Sequence, residues 1–169
     1  MANDVGSIYS VALHNTHAEE SQGLRQMQNQ LAGLENYPQY AQILRDHIPV
    51  TEGQLKRLEQ AMQAVGTSPS TFKEMVTQTA GTIGAAVHAL AQDETLKNLY
   101  AGYAYQYHQI AAYRSLIAIA ESAGHTEHVA LFRQSLDEEK RAADRVDGLI
   151  EQITRHYVDL TTSGKKADS

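Results

Sequence analysis

The apolar residues of this chain recur at steps of three and four over stretches far longer than an average helix, and nowhere do they sustain the alternation of a strand. The first stretch runs from about Val5 to Leu34 and sets Leu13, His17, Glu20, Leu24, Met27 and Leu31 along one face. It breaks at "LENYPQY", where Pro38 takes the first turn of a second helix, a position that needs no backbone donor. That helix is predicted to reach about Val65 and to stop at Gly66. Asp93 is the predicted cap of another helix, from Glu94 to about Ala123, which Gly124 ends. A last helix is predicted from about Glu127 to Tyr157, and the polar residues 161–169 ("TTSGKKADS") are expected to be a disordered tail.

The segment from Thr71 to Ala91 is different. It is rich in Ala, Gly and Thr and reads as a crossover helix that packs closely against its neighbours, with His88 as a packing residue. The four long helices come to roughly 27–31 residues each, or about 40–45 Å at 1.5 Å per residue. Two short-looped hairpins joined by one long crossover define an all-α, ferritin-like four-helix bundle with an extra crossover helix between helices two and three. One domain over residues 1–160 is expected.

Composition narrows the function. At 169 residues and 42% apolar the chain can bury a sizeable core, and no apolar run approaches a membrane span. A net charge of −6 without a longer basic cluster than Lys165-Lys166 gives no footprint for nucleic acid. Cysteine is absent, which excludes disulfides, thiol catalysis and thiolate metal sites. "MANDVGSIYS" lacks the basic and apolar regions of a signal peptide, so a cytoplasmic setting is expected. No phosphate-binding glycine loop, nucleophile elbow or HExxH pattern occurs.

The stretch "YAYQYHQIAAY", residues 103–113, raises the sharper question, because Gln106, Gln109 and Tyr113 share an inward face with Tyr103 and Ile110. Residues equidistant from a short loop lie side by side in a hairpin. With loop centres near 35–36 and 124, Glu20 falls level with Thr51, His17 with about Gln54, and Gln109 with Glu139. His47 falls about a turn away, nearer Leu24. The stripe of Leu136, Glu139, Ala143, Val146, Ile150 and Ile153 turns Glu139 inward and leaves Glu138 and Asp144 to the sides, for solvent or a subunit contact. Packed in register, the hairpins bring Glu20, Thr51, Gln54, Gln106, Gln109 and Glu139 into one central layer.

At "HAEESQGL", "HIPVTEGQLKRLEQ", "QIAAYRSLIAIAESAG" and "LDEEK" the chain resembles the YciE/YciF-like ferritin-like stress proteins, over nearly its whole length. "ESQ" at Glu20 also resembles the first-helix ligand segment of rubrerythrins. The resemblance implies a cytosolic bundle, often dimeric, linked to stress and with a poorly defined activity. It also implies glutamates at Val50, Gln106 and Gln109, which are absent, so Glu20 and Glu139 remain the only inward carboxylates at matching positions. Pro49 should kink the second helix beside this layer.

Ferritin-like dimetal sites use about four carboxylates and two histidines. Replacing three carboxylates by two amides and a valine argues against a full di-iron centre, since buried cations need matching charge. One Fe, Mn or Zn ion could still be held by Glu20, Glu139, His17 and His47, with Gln106 and Gln109 beside it. Without metal, the same residues can satisfy one another as a hydrogen-bonded network. The tyrosines at 100, 103, 105, 107 and 113 read as packing, with Tyr105 and Tyr107 off the core face as a strip for a homodimer. His108, His125, His128 and His156 read as surface residues, and "HTEH" at 125–128 as a helix start rather than a site. Two functions stay open: a structural or binding stress protein with an eroded metal centre, or a metal-dependent oxidase or peroxide-consuming enzyme.

Overall fold

The computed structural model describes residues 4–70 and 93–168, so the expected crossover helix from Thr71 to Ala91, with His88, lies outside the described residues. Five helices are described: α1 (Val5–Leu31), α2 (Pro38–Ala64), α3 (Glu94–Ser122), α4 (Thr126–Asp147) and α5 (Ile150–Thr162). The chain is all-helical in these regions, and α1 to α4 form the expected four-helix bundle. α1 packs on α2 and α3, and α4 packs on α3 and α2, which closes a ring of four.

The burial pattern gives the helix directions. One apolar cluster joins Tyr9 and Leu13 at the start of α1 to Leu58 and Met62 at the end of α2, Leu116 and Ala120 at the end of α3, and Phe132 at the start of α4. A second joins Leu34, Tyr37, Tyr40 and Leu44 to Leu96 and Leu99 of early α3, Val146 of late α4 and Ile153 of α5. α1 and α4 therefore run one way, α2 and α3 the other. Each such buried aliphatic or aromatic side chain stabilises the fold by about 1.5–3 kcal/mol relative to exposure. Between the two clusters lies a layer of buried polar residues.

Local chemistry explains most boundaries. Pro38 opens α2 at its first turn, and Gly66 and Gly124 end helices with φ of 75° and 82°, the left-handed region that glycine reaches without strain. α2 runs uninterrupted through Pro49, whose side chain faces solvent.

Three expectations need correction. The last helix is not continuous: it stops at Asp147 and restarts at Ile150. Gly148, worth about 1 kcal/mol less than alanine in a helix interior, sits at the break, where its N–H and that of Leu149 turn back to Asp144 and Val146 at 3.1 and 3.0 Å. The end of the chain is also not a free tail. Tyr37 donates its hydroxyl to the Ala167 carbonyl at 2.8 Å, Asn36 donates to the Lys166 carbonyl at 3.0 Å, and Ala167 is buried. The Asp168 carboxylate accepts the backbone N–H of Asp93 at 3.1 Å and of Thr95 at 2.9 Å. Asp168 thus caps α3 in place of Asp93, whose own carboxylate pairs with Lys97 at 2.7 Å and whose φ of 63° is left-handed.

Candidate central polar site

Each bundle helix sends polar side chains into the layer between the apolar clusters. α1 contributes Glu20, 2% exposed, and α4 contributes Glu139, 1% exposed. α2 contributes His47, Thr51 and Gln54, and α3 contributes Gln109 and Tyr113, all buried. Gln106, less deeply set, joins Glu20, His47, Thr51, Tyr105 and Glu139 around a cavity of about 30 Å³, room for about two waters. The layer expected from hairpin spacing is therefore present.

Its bonds are specific. Gln54 Nε2 donates to Glu139 Oε1 at 2.6 Å, and His47 Nε2 approaches the same oxygen at 3.3 Å. His47 thus reaches the layer rather than lying a turn below it. Glu20 Oε1, Thr51 Oγ1, Gln54 Oε1, Gln106 Oε1, both amide atoms of Gln109 and Tyr113 Oη are buried without a protein partner. Burial, and then the charge on Glu139, pushes the Glu20 carboxyl up to about 8; the nearby Tyr113 hydroxyl and Gln109 amide offset part of that rise. Burial thus favours the protonated form of Glu20.

Other residues fall elsewhere. His17 turns to α2, where its Nε2 meets Glu59 Oε1 at 3.2 Å, so it does not join the layer. Val50 lines a groove between α2 and α4 beside Ile43, Glu138 and Arg141. Glu138 is not free for solvent: Arg57 bonds it, while the same guanidinium donates Nε to Ser135 Oγ at 3.0 Å. Tyr105 is not part of an outer strip. It packs over Gly23 of α1 and donates to the Glu19 carbonyl, roofing the cavity. His128 is not a surface residue either; it is 5% exposed, against Tyr9 and Phe132.

The residues present do not fit a dimetal centre. Even with both ionised, the two carboxylates bring two negative charges against the four positive charges of two divalent ions, and the Gln109 amide places a donor among the acceptors. Among the described residues, only His125, Glu127 and His128 bring three His, Asp or Glu ligand atoms within 4.8 Å of one another. Glu20, His47 and Glu139 do not.

Fold and layer together define a ferritin-like helical bundle whose centre is polar and amide-rich. The chain belongs to the family described as a domain of unknown function, DUF892, which it matches over residues 4–159. Among solved structures, a protein of Xanthomonas campestris pv. campestris is 21% identical with a TM-score of 0.77, over 95% of this chain and 99% of that one. The Escherichia coli stress protein YciF is 18% identical with a TM-score of 0.68, over 89% and 96%. A ferritin-like, diiron-carboxylate protein of Bacillus anthracis is 16% identical with a TM-score of 0.67, over 88% and 99%. The resemblance to the YciE/YciF-like proteins agrees with these neighbours. No described helix is long and apolar enough to cross a membrane.

Proposed function

We propose that this protein is a structural or binding member of its family, in which the ancestral dimetal position has become a proton-sharing hydrogen-bond network. The observation that carries this reading is the 2.6 Å bond from Gln54 to Glu139, beside the buried Glu20 carboxyl and the amides of Gln106 and Gln109. Amides both donate and accept, so they stabilise carboxyl groups that no cation neutralises. A stress-linked role follows the E. coli neighbour's description. Tyr100 and Tyr107, each about half exposed on α3, keep a homodimer within the proposal, with the molar mass from light scattering as its check. Elemental analysis of protein purified without chelator tests the main reading. No Fe, Mn or Zn should depend on Glu20, and one equivalent that disappears on Glu20→Gln overturns it.

The approach of His47 to Glu139 at 3.3 Å favours a second reading, a metal-dependent oxidase or peroxide-consuming enzyme built on Glu20, Glu139 and His47. Its signature is Fe(II)-dependent consumption of oxygen or peroxide that Glu20→Ala abolishes. Normal turnover in that variant excludes it.

A further inference from the structure

We propose that His125, Glu127 and His128, at the turn between α3 and α4, form a separate site for one late first-row divalent cation, with Zn²⁺ the best fit. The three ligand atoms already converge. His125 Nδ1 lies 3.2 Å and His128 Nε2 3.7 Å from Glu127 Oε1, and all three fall within 4.8 Å of one another. Ligands bound at about 2.0–2.1 Å around a tetrahedral ion stand roughly 3.3–3.4 Å apart, so the two separations from Glu127 already suit an ion. The two imidazoles, stacked at 11° with centroids 5.5 Å apart, must turn toward it on binding.

The surroundings organise the site. Gly124, with φ of 82°, turns the chain so that both imidazoles lie at the start of α1. The Tyr9 ring stacks on His125 with centroids 4.8 Å apart, and its hydroxyl meets His128 Nδ1 at 2.7 Å. Metal-bound histidine usually has its second nitrogen held in this way. In the tautomer that donates Nδ1–H to Tyr9 Oη, Nε2 carries the lone pair that a metal would take. That nitrogen lies beyond hydrogen-bond reach of Glu127, although His128 is 95% covered (5% exposed). The helix dipole at the start of α4 opposes a cation, and the Glu127 carboxylate counters it. Two imidazoles and one carboxylate suit Zn²⁺ and its late first-row neighbours rather than Ca²⁺ or Mg²⁺, which select oxygen ligands. Three protein ligands leave a position for water.

Calorimetric titration of chelator-stripped protein with Zn²⁺, in excess Mg²⁺, tests the site, with Co²⁺ absorption reporting its geometry. One Zn²⁺ per chain is expected. His125→Ala and Glu127→Gln alter partly or fully exposed side chains, so folding can be confirmed by circular dichroism; each should weaken binding about tenfold or more. Tyr9→Phe keeps the ring but removes the hydroxyl, and should weaken binding by about 10-fold. Glu20→Gln should leave binding unchanged. Absence of saturable binding, or binding that survives both His125→Ala and Glu127→Gln, overturns the proposal. Zn²⁺ lost only on Glu20→Gln also overturns it and counts separately against the metal-free reading of the central layer.

Discussion

Gln54 of α2 donates its amide to Glu139 of α4 across 2.6 Å, in the middle of the bundle, where both side chains are almost fully covered. Removing the donor leaves Glu139 Oε1 with only the longer approach of His47 Nε2 at 3.3 Å, and loss of a buried acceptor's main partner costs about 1–3 kcal/mol. Gln54→Leu is expected to lower stability by that amount in urea denaturation. A change smaller than about 0.5 kcal/mol would mean the amide contributes no more than packing.

The Glu20 carboxyl sets a pH dependence. It titrates near 4.5 in the unfolded chain and at about 8 in the fold. Between these values the folded state keeps a proton that the unfolded state releases, so the contribution is fully present below the unfolded pKa and is lost as pH rises through the folded one. The loss is on the order of a few kcal/mol. Glu20→Gln removes this slope. The stability of the variant minus that of wild type, measured by denaturation at about pH 5 and pH 8, should therefore rise with pH. A flat difference is the adverse result. Taking the difference also cancels the opposite trend from His14 and His128, whose lowered pKa values make acid destabilising.

Gly23 and Tyr105 should be coupled. A Cβ on Gly23 would stand 2.6 Å from the Tyr105 ring, so the ring must move. Alanine gains about 1 kcal/mol of helix propensity, whereas overpacking costs about 1–3 kcal/mol, so the expected net effect of Gly23→Ala is destabilising. In a Tyr105→Leu background the same change should become stabilising. A double-mutant cycle on thermal unfolding checks the sign change, and equal effects in both backgrounds would refute it.

Asp168 holds the start of α3 from the far end of the chain. Asp168→Ala is expected to cost about 0.5–2 kcal/mol, the range for loss of a helix cap. Hydrogen exchange at the amides of Asp93 and Thr95 should quicken while that of Leu116 and Ala120 stays slow. Unchanged protection at Asp93 and Thr95 would contradict the capping role.

Helix existence and the central layer were legible because both rest on local period and loop arithmetic, which bring Glu20, Thr51, Gln54 and Glu139 to one level. What escaped depends on distant partners. His17 shares the face of Glu20 by spacing, but Glu59 on the neighbouring helix turns it aside. His128 begins a helix, where the inward direction is not yet set by period, and its burial comes from Tyr9, 119 residues earlier. The end of the chain carries no apolar pattern; residues 166–168 are fixed by carbonyl and carboxylate bonds to Asn36, Tyr37 and the start of α3. The break at Gly148 has the weakest signal, a single glycine in an otherwise periodic run.

The placement of the polar layer between two apolar clusters has a consequence for the choice among alternative packings. A slip of one helix by a single turn, about 5.4 Å, would drive Glu20 or Glu139 among leucines and bring a leucine against the amides. Apolar contacts alone discriminate poorly between such neighbouring alignments, whereas a carboxylate stranded in hydrocarbon is strongly penalised. The layer serves as the index mark by which the four helices of the bundle find a single register.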